Sequence, residues 1–151
     1  MTGKGPLNYT TTVDPQKTMS ECITILARYG ATAIAMTYDN GMPGGLHFQV
    51  NTAFGRRNYA LPANVAGTHE VLMKAWRAGK IPPSKATLEQ AQRTSWRVIK
   101  MWLEAQLALI EAGLVDLPQV MLPFMIDDEG RTVYQRFLEN EQLALTAGGA
   151  S

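Results

Sequence analysis

The sequence predicts an α+β domain, a small and mostly antiparallel sheet packed with an N-terminal helix and a long C-terminal helix plus short helices. Three observations lead there. Period-two stretches rich in β-branched and aromatic residues are separated by Asn-Gly and Pro-Gly turns, a capped helical stripe sits among them, and one long helical run fills the second half.

Taken in order, LNYTTTV alternates and reads as a strand at about residues 7 to 13. A helix follows, with Asp14 at its N-cap, Pro15 in its first turn and Gly30 past its end; Met19, Cys22, Ile23 and Leu26 form its apolar stripe. ATAIAMTYD returns to period two, with Ile34, Met36 and Tyr38 on one side. Asn40-Gly41 suits a tight hairpin turn, and Pro43-Gly44-Gly45 extends that loop. GLHFQVNT places Leu46, Phe48 and Val50 on one face and His47, Gln49 and Asn51 on the other, and NYALP is a short strand that Pro62 ends. The first half is therefore expected as β-α-β-β-β. Thr68 is expected to cap a short helix closed by Gly79, and Thr87 with Gln90 forms a capping box for the long helix that reaches Gly113. Its roughly 25 residues would span about 40 Å. LVDLPQVMLPFM reads as a helical turn or two on the body, and TVYQ opens a last helix from about Thr132 to Leu143. One domain accounts for residues 1–151, with flexible ends at 1–6 and 146–151.

Composition narrows the class. With 46% hydrophobic and 18% charged residues in 151, the chain has material for a substantial core. It shows no apolar run long enough for a membrane span, and MTGKGPLN lacks the basic and apolar regions of a secretory leader. A lone Cys22 leaves no internal disulfide, and His47 and His69 are too few for a zinc cluster, so neither metal nor cofactor is expected. The expectation is a soluble protein of a reducing cytoplasm, without a membrane partner. The net charge of +1 hides a polarity: residues 1–100 carry +7 and residues 101–151 carry −6. Such a split suits an anionic partner, association between copies or internal pairing.

The second half of the long helix is apolar nearly all round. Trp102, Leu103, Leu107 and Ile110 are the candidates for self-association, because a single stripe about 100° wide is enough to pack on a small sheet. The competing expectation is that the sheet covers one side and the 115–126 segment with the last helix the other. Upstream, Lys74, Arg77, Lys80, Lys85, Arg93, Arg97 and Lys100 face one acid, Glu89. Arg93, Arg97 and Lys100 recur at i, i+4 and i+7, Trp76 and Trp96 lie among these cations, and Arg56-Arg57 sits at a hairpin tip. Cations so placed can track phosphates, and aromatic rings beside them can stack bases. Arg56, Arg57, Lys74, Arg77, Arg93, Trp96, Arg97 and Lys100 are therefore the candidate nucleic-acid contacts.

Other chemistry is thin. Thr10, Thr12, His47, Gln49, Asn51 and Asn58 should form a solvated polar sheet face. His47 is the best general-base candidate, but no nucleophile or carboxylate stands at a spacing that would orient it. His69 falls in a first helical turn, where a cation is disfavoured. Asp127-Asp128-Glu129 before Gly130 reads as a solvated turn, with a divalent ion as the sharper alternative. Phosphate-loop, dinucleotide, zinc-protease and nucleophile-elbow signatures are absent.

The pattern YTTTV, YGATAI, YDNGMP, LPAN and above all EQAQRTSWRVIKMWLEAQLALIEAGLVDLPQVMLP resembles a group of small uncharacterised proteins from bacteriophages, prophages and metagenomes, over roughly Tyr9 to Tyr134. The resemblance implies a viral or mobile-element origin and with it a role in replication, recombination or counter-defence, in a host cell's cytoplasm. It assigns no site residues. The functional expectation is a non-catalytic, oligomeric binding protein that contacts single- or double-stranded nucleic acid. The alternative is a counter-defence protein that sequesters a signalling nucleotide or blocks a host protein.

Overall fold

The structure is a computed structural model and describes residues 5–149. In chain order it contains α1 (Pro15–Arg28), β1 (Ala31–Asp39), β2 (Met42–Thr52), β3 (Gly55–Pro62), α2 (Val65–Arg77), α3 (Leu88–Glu111), α4 (Leu117–Met121), β4 (Met125–Ile126) and α5 (Val133–Gly149). The class is α+β. The sheet order is β1-β2-β3-β4 with every neighbouring pair antiparallel. Among the described residues no helix is long and apolar enough to cross a membrane.

The strand expected at residues 7–13 is not formed. That stretch is a turn followed by irregular chain, with Asn8 at φ 64°. It lies across α3, where Gln90 Nε2 donates to the carbonyls of Tyr9 at 2.7 Å and Thr11 at 2.9 Å, and the Thr94 hydroxyl donates to that of Asn8 at 3.3 Å. Threonine-rich chain has strand propensity, but these carbonyls are satisfied by buried side chains of a helix instead of a ladder. The fourth strand comes from the proline-punctuated segment after α3, whose Met125 and Ile126 pair with Tyr59 and Asn58.

Local turn chemistry sets the meander. Asn40 at φ 50° and Gly41 at φ 79° close the first hairpin, as two consecutive left-handed residues should. Pro43 to Gly45 belongs to β2, and a pairing shift near Thr37/Tyr38 takes up Gly44. A Cβ on Gly45 would lie 2.8 Å from the Leu61 carbonyl oxygen, so only glycine fits there. Leu46, Phe48 and Val50, with Tyr59 and Leu61, form the buried face; Phe48 and Tyr59, paired across the strands, stack with centroids 5.2 Å apart. The other face shows His47, Asn51 and Asn58 to solvent, as alternation requires, whereas Thr10 and Thr12 lie off the sheet.

Met19, Cys22, Ile25 and Leu26 of α1 and Trp96, Leu103 and Leu107 of α3 cover the buried face, together with Leu117 and Met121. This corrects the residues expected to carry self-association. Leu103 and Leu107 are buried in the chain's own core, Trp102 packs edge-on against Phe124 at 5.5 Å, and Ile110 packs on the same core. The sheet, α1 and the segment after α3 thus take up these four residues, while Met101 and Leu109 of the same helix remain exposed. A second cluster of Leu72, Ala75, Ile81, Ala86 and Ala91 locks α2 onto the first half of α3.

Helix α2 starts earlier than expected, capped by Asn64 rather than Thr68, with Asn64 Oδ1 accepting from the Gly67 amide. Of the two expected capping boxes one forms whole and one in half, because the Gln90 side chain turns to Tyr9 and Thr11 instead of the Thr87 amide. Thr87 Oγ1 accepts from the Gln90 amide, and Thr132 and Gln135 bond reciprocally at the start of α5. Helix α5 continues through residues 146–149, past the expected end; 150 and 151, like 1–4, lie outside the described residues. Tyr134, Phe137, Leu138, Leu143 and Leu145 are all exposed on it.

Candidate functional site

Three of the eight acids of the last third, Asp127, Glu129 and Glu139, pair with its own two arginines, and Glu104 and Glu111 pair with Lys100 and Arg28. Among the described residues every ion pair uses Arg28, Lys100, Arg131 or Arg136 as its cation. Arg131 pairs with Glu129 and Glu139, and Arg136 with Asp127 and Glu129. The Arg131 backbone amide, bonded to the Asp127 carboxylate, is the largest of the influences that hold that group below its ordinary range, with Arg136 beside it. Two of the three carboxylates of the 127–129 turn are therefore committed to arginines, in agreement with a structural turn.

Most of the cations upstream keep no such partners. Among the described residues Lys74 and Arg77 are exposed on α2 without an ion pair, and Arg97 on α3 also has none, although it stands close enough to Glu21 to help lower that carboxyl's pKa. Arg93 donates through Nε to Gln90 Oε1 at 3.1 Å, which leaves its charge uncompensated. Lys74 and Arg77 stand on α2, and Arg93 and Arg97 stand on the first half of α3, against which α2 packs. Trp76, 39% exposed, stands on α2 between Lys74 and Arg77 in sequence.

Two expected contacts are withdrawn by the structure. Trp96 is fully buried and donates its indole N–H to the Pro43 carbonyl at 3.1 Å, so it has no face free for a base. Lys100 forms an ion pair with Glu21 of α1 and a second, at 3.5 Å, with Glu104. The hydrogen bond with Glu21 raises the Lys100 pKa and lowers that of Glu21. Arg56 and Arg57 are real hairpin-tip cations but stand apart from the others. Arg57 lines a cleft with Asp116, Pro118 and Gln119, which follow the C-terminal end of α3, whereas Ser95 and Trp96 near its other end bond to Ala63 and Pro43. Most of a helix about 36 Å long lies between the two basic sets.

Neither histidine acquires a catalytic setting. His47 is exposed on the open sheet face with Ala35 and Ala60 as its strand partners, and His69 Nε2 lies 3.2 Å from the Ala86 carbonyl.

A cavity of about 360 Å3 opens where the β1-β2 turn, the start of α2 and the first turns of α3 meet. Gln92 lines it, at 9% exposed, and its carboxamide makes no hydrogen bond among the described residues. Sequence reading missed this residue, because Gln92 carries no charge or motif to single it out from the polar residues around it. Comparisons with protein-family models, with curated proteins and with solved structures find no match.

Proposed function

We propose that the chain is a non-catalytic, self-associating binding protein of phage type that works in the cytoplasm. It contacts nucleic acid through Lys74, Arg77, Arg93 and Arg97, with Trp76 beside them and Arg56 and Arg57 as a separate anchor. One observation carries the reading: among the described residues Lys74, Arg77, Arg93 and Arg97 enter no ion pair, so their charge is left uncompensated. Long side chains on packed helices suit phosphate contacts, which give affinity without reading sequence. Trp76 takes the stacking role that buried Trp96 cannot fill.

Fluorescence anisotropy with a short single strand and a short duplex tests this. The logarithm of the association constant should fall linearly with that of salt concentration, and Lys74→Ala and Arg77→Ala should each reduce the slope by about 1. Trp76→Ala should weaken the single strand more than the duplex. Absence of binding at low salt, or a slope unchanged by both cation variants, overturns the proposal.

A second reading, sequestration of a small ligand, draws on the cavity with its open carboxamide, whose acid-bearing lining suits an uncharged molecule better than a phosphate. A thermal-shift screen of free nucleosides beside the corresponding mononucleotides separates it from oligonucleotide binding, since a sequestering protein gains stability from the free small molecule.

A further inference from the structure

The cavity at the start of α2 has the makings of a ligand site that does not depend on the cationic surface. Gln92 is 9% exposed, yet its carboxamide, one acceptor beside two donors, is unpartnered where it meets the cavity. Its polar atoms stay open to solvent inside the cavity, so a ligand that offers a donor and an acceptor can take the place of water there. Opposite it, Asn64 spends its side chain on the Gly67 amide. Val65 and Ala66 line the cavity at the start of a 13-residue helix, whose first amides have no partner within the helix. Among the described residues Asp39 supplies the only charge of the lining, with no cation beside it to hold a phosphate. Met42, Pro43 and Leu88 add apolar walls.

We propose that this cavity binds a nucleobase in the form of an uncharged nucleoside. The Gln92 carboxamide pairs side by side with a donor and an acceptor on the edge of the base, as glutamine does in reading adenine. The apolar walls hold the ring faces, the free helix amides take an oxygen acceptor, and Asp39 accepts from a ribose hydroxyl. A phosphate at the same place would face Asp39 and is disfavoured.

The test is a titration of the full chain with adenosine, guanosine, cytidine and uridine, each alone, followed by 1H–15N spectroscopy. At least one should shift, saturably and together, the side-chain amide of Gln92 and the backbone amides of Val65 and Ala66. Gln92→Leu should abolish the effect. Asp39→Asn, at an exposed position that leaves the core untouched, should weaken the nucleoside several-fold and narrow its advantage over the corresponding 5′-monophosphate. The proposal is overturned if no nucleoside moves the three groups, if Gln92→Leu binds as the parent does, or if Asp39→Asn changes nothing. The probes carry no phosphate, so failure here leaves the salt-dependent binding of oligonucleotides to be decided by its own measurement.

Discussion

Charge run and spacing show that Arg93, Arg97 and Lys100 share a helical face, but what each one meets is decided by residues far away in sequence. Lys100 is spent on Glu21 of α1, and Trp96 turns inward because the Pro43 carbonyl, 53 residues earlier, waits for its indole N–H. No local pattern separates buried Trp96 from exposed Trp76; both are flanked by cations. The Lys100–Glu21 pair also has a pH signature. The Glu21 pKa is lowered from the ordinary 4.5, chiefly by the hydrogen bond with Lys100. A depressed carboxyl contributes stability that is fully present above its unfolded value and is lost as pH falls through its folded one. Glu21→Gln should therefore cost about 1 kcal/mol at neutral pH, roughly 3 °C in Tm, a modest figure because both side chains retain solvent access. The gap between variant and parent should close below pH 4. Melting curves that run parallel across that range would refute the assignment.

Helix ends were legible where their signals are contiguous: Asp14 before Pro15, Thr87 with Gln90 and Thr132 with Gln135 all cap as their spacing indicates. Asn64 was missed because Thr68 offers an equally good local start, and only the structure shows Asn64 in the left-handed region at φ 39° with its side chain on Gly67. The N-terminal stretch failed for a different reason. Its threonines favour extended chain, but whether such chain joins a sheet depends on a free edge beside it, and here Gln90 and Thr94 of α3 collect its carbonyls. Gln90 is in effect the clasp of that segment. Gln90→Leu removes two side-chain bonds to backbone and should destabilise the chain by about 2 kcal/mol. Hydrogen exchange should quicken at the amides of Tyr9 and Thr11, which bond within the same turn. An unchanged melting temperature with unchanged exchange would show that the segment is held by something else.

For the molecule as a whole, class and sheet were readable from period and turn chemistry, and the covering of α3 was not, since half a helix of apolar residues reads alike whether a core or a subunit hides it. With Leu103 and Leu107 inside, the proposed self-association moves to α5. A helix of 17 residues that shows Tyr134, Phe137, Leu143 and Leu145 to water gains little from its own body, and isolated helices of that length are marginal. Light scattering should report a mass that rises with concentration toward a multiple of 16.6 kDa, and Phe137→Glu should hold the monomer without lowering its melting temperature. A monomer at every concentration would remove self-association from the proposal. The uncancelled acids of the last third have a final effect, on motion rather than on contact. With unpaired cations at one end of α3 and an arginine-rich but acidic turn and helix beyond the other, the protein is an electric dipole. Near any polyanion it experiences a torque before it touches, so collisions arrive with α2 leading and α5 trailing. Orientation would then be settled in solution, and the end that trails would stay open to the next copy.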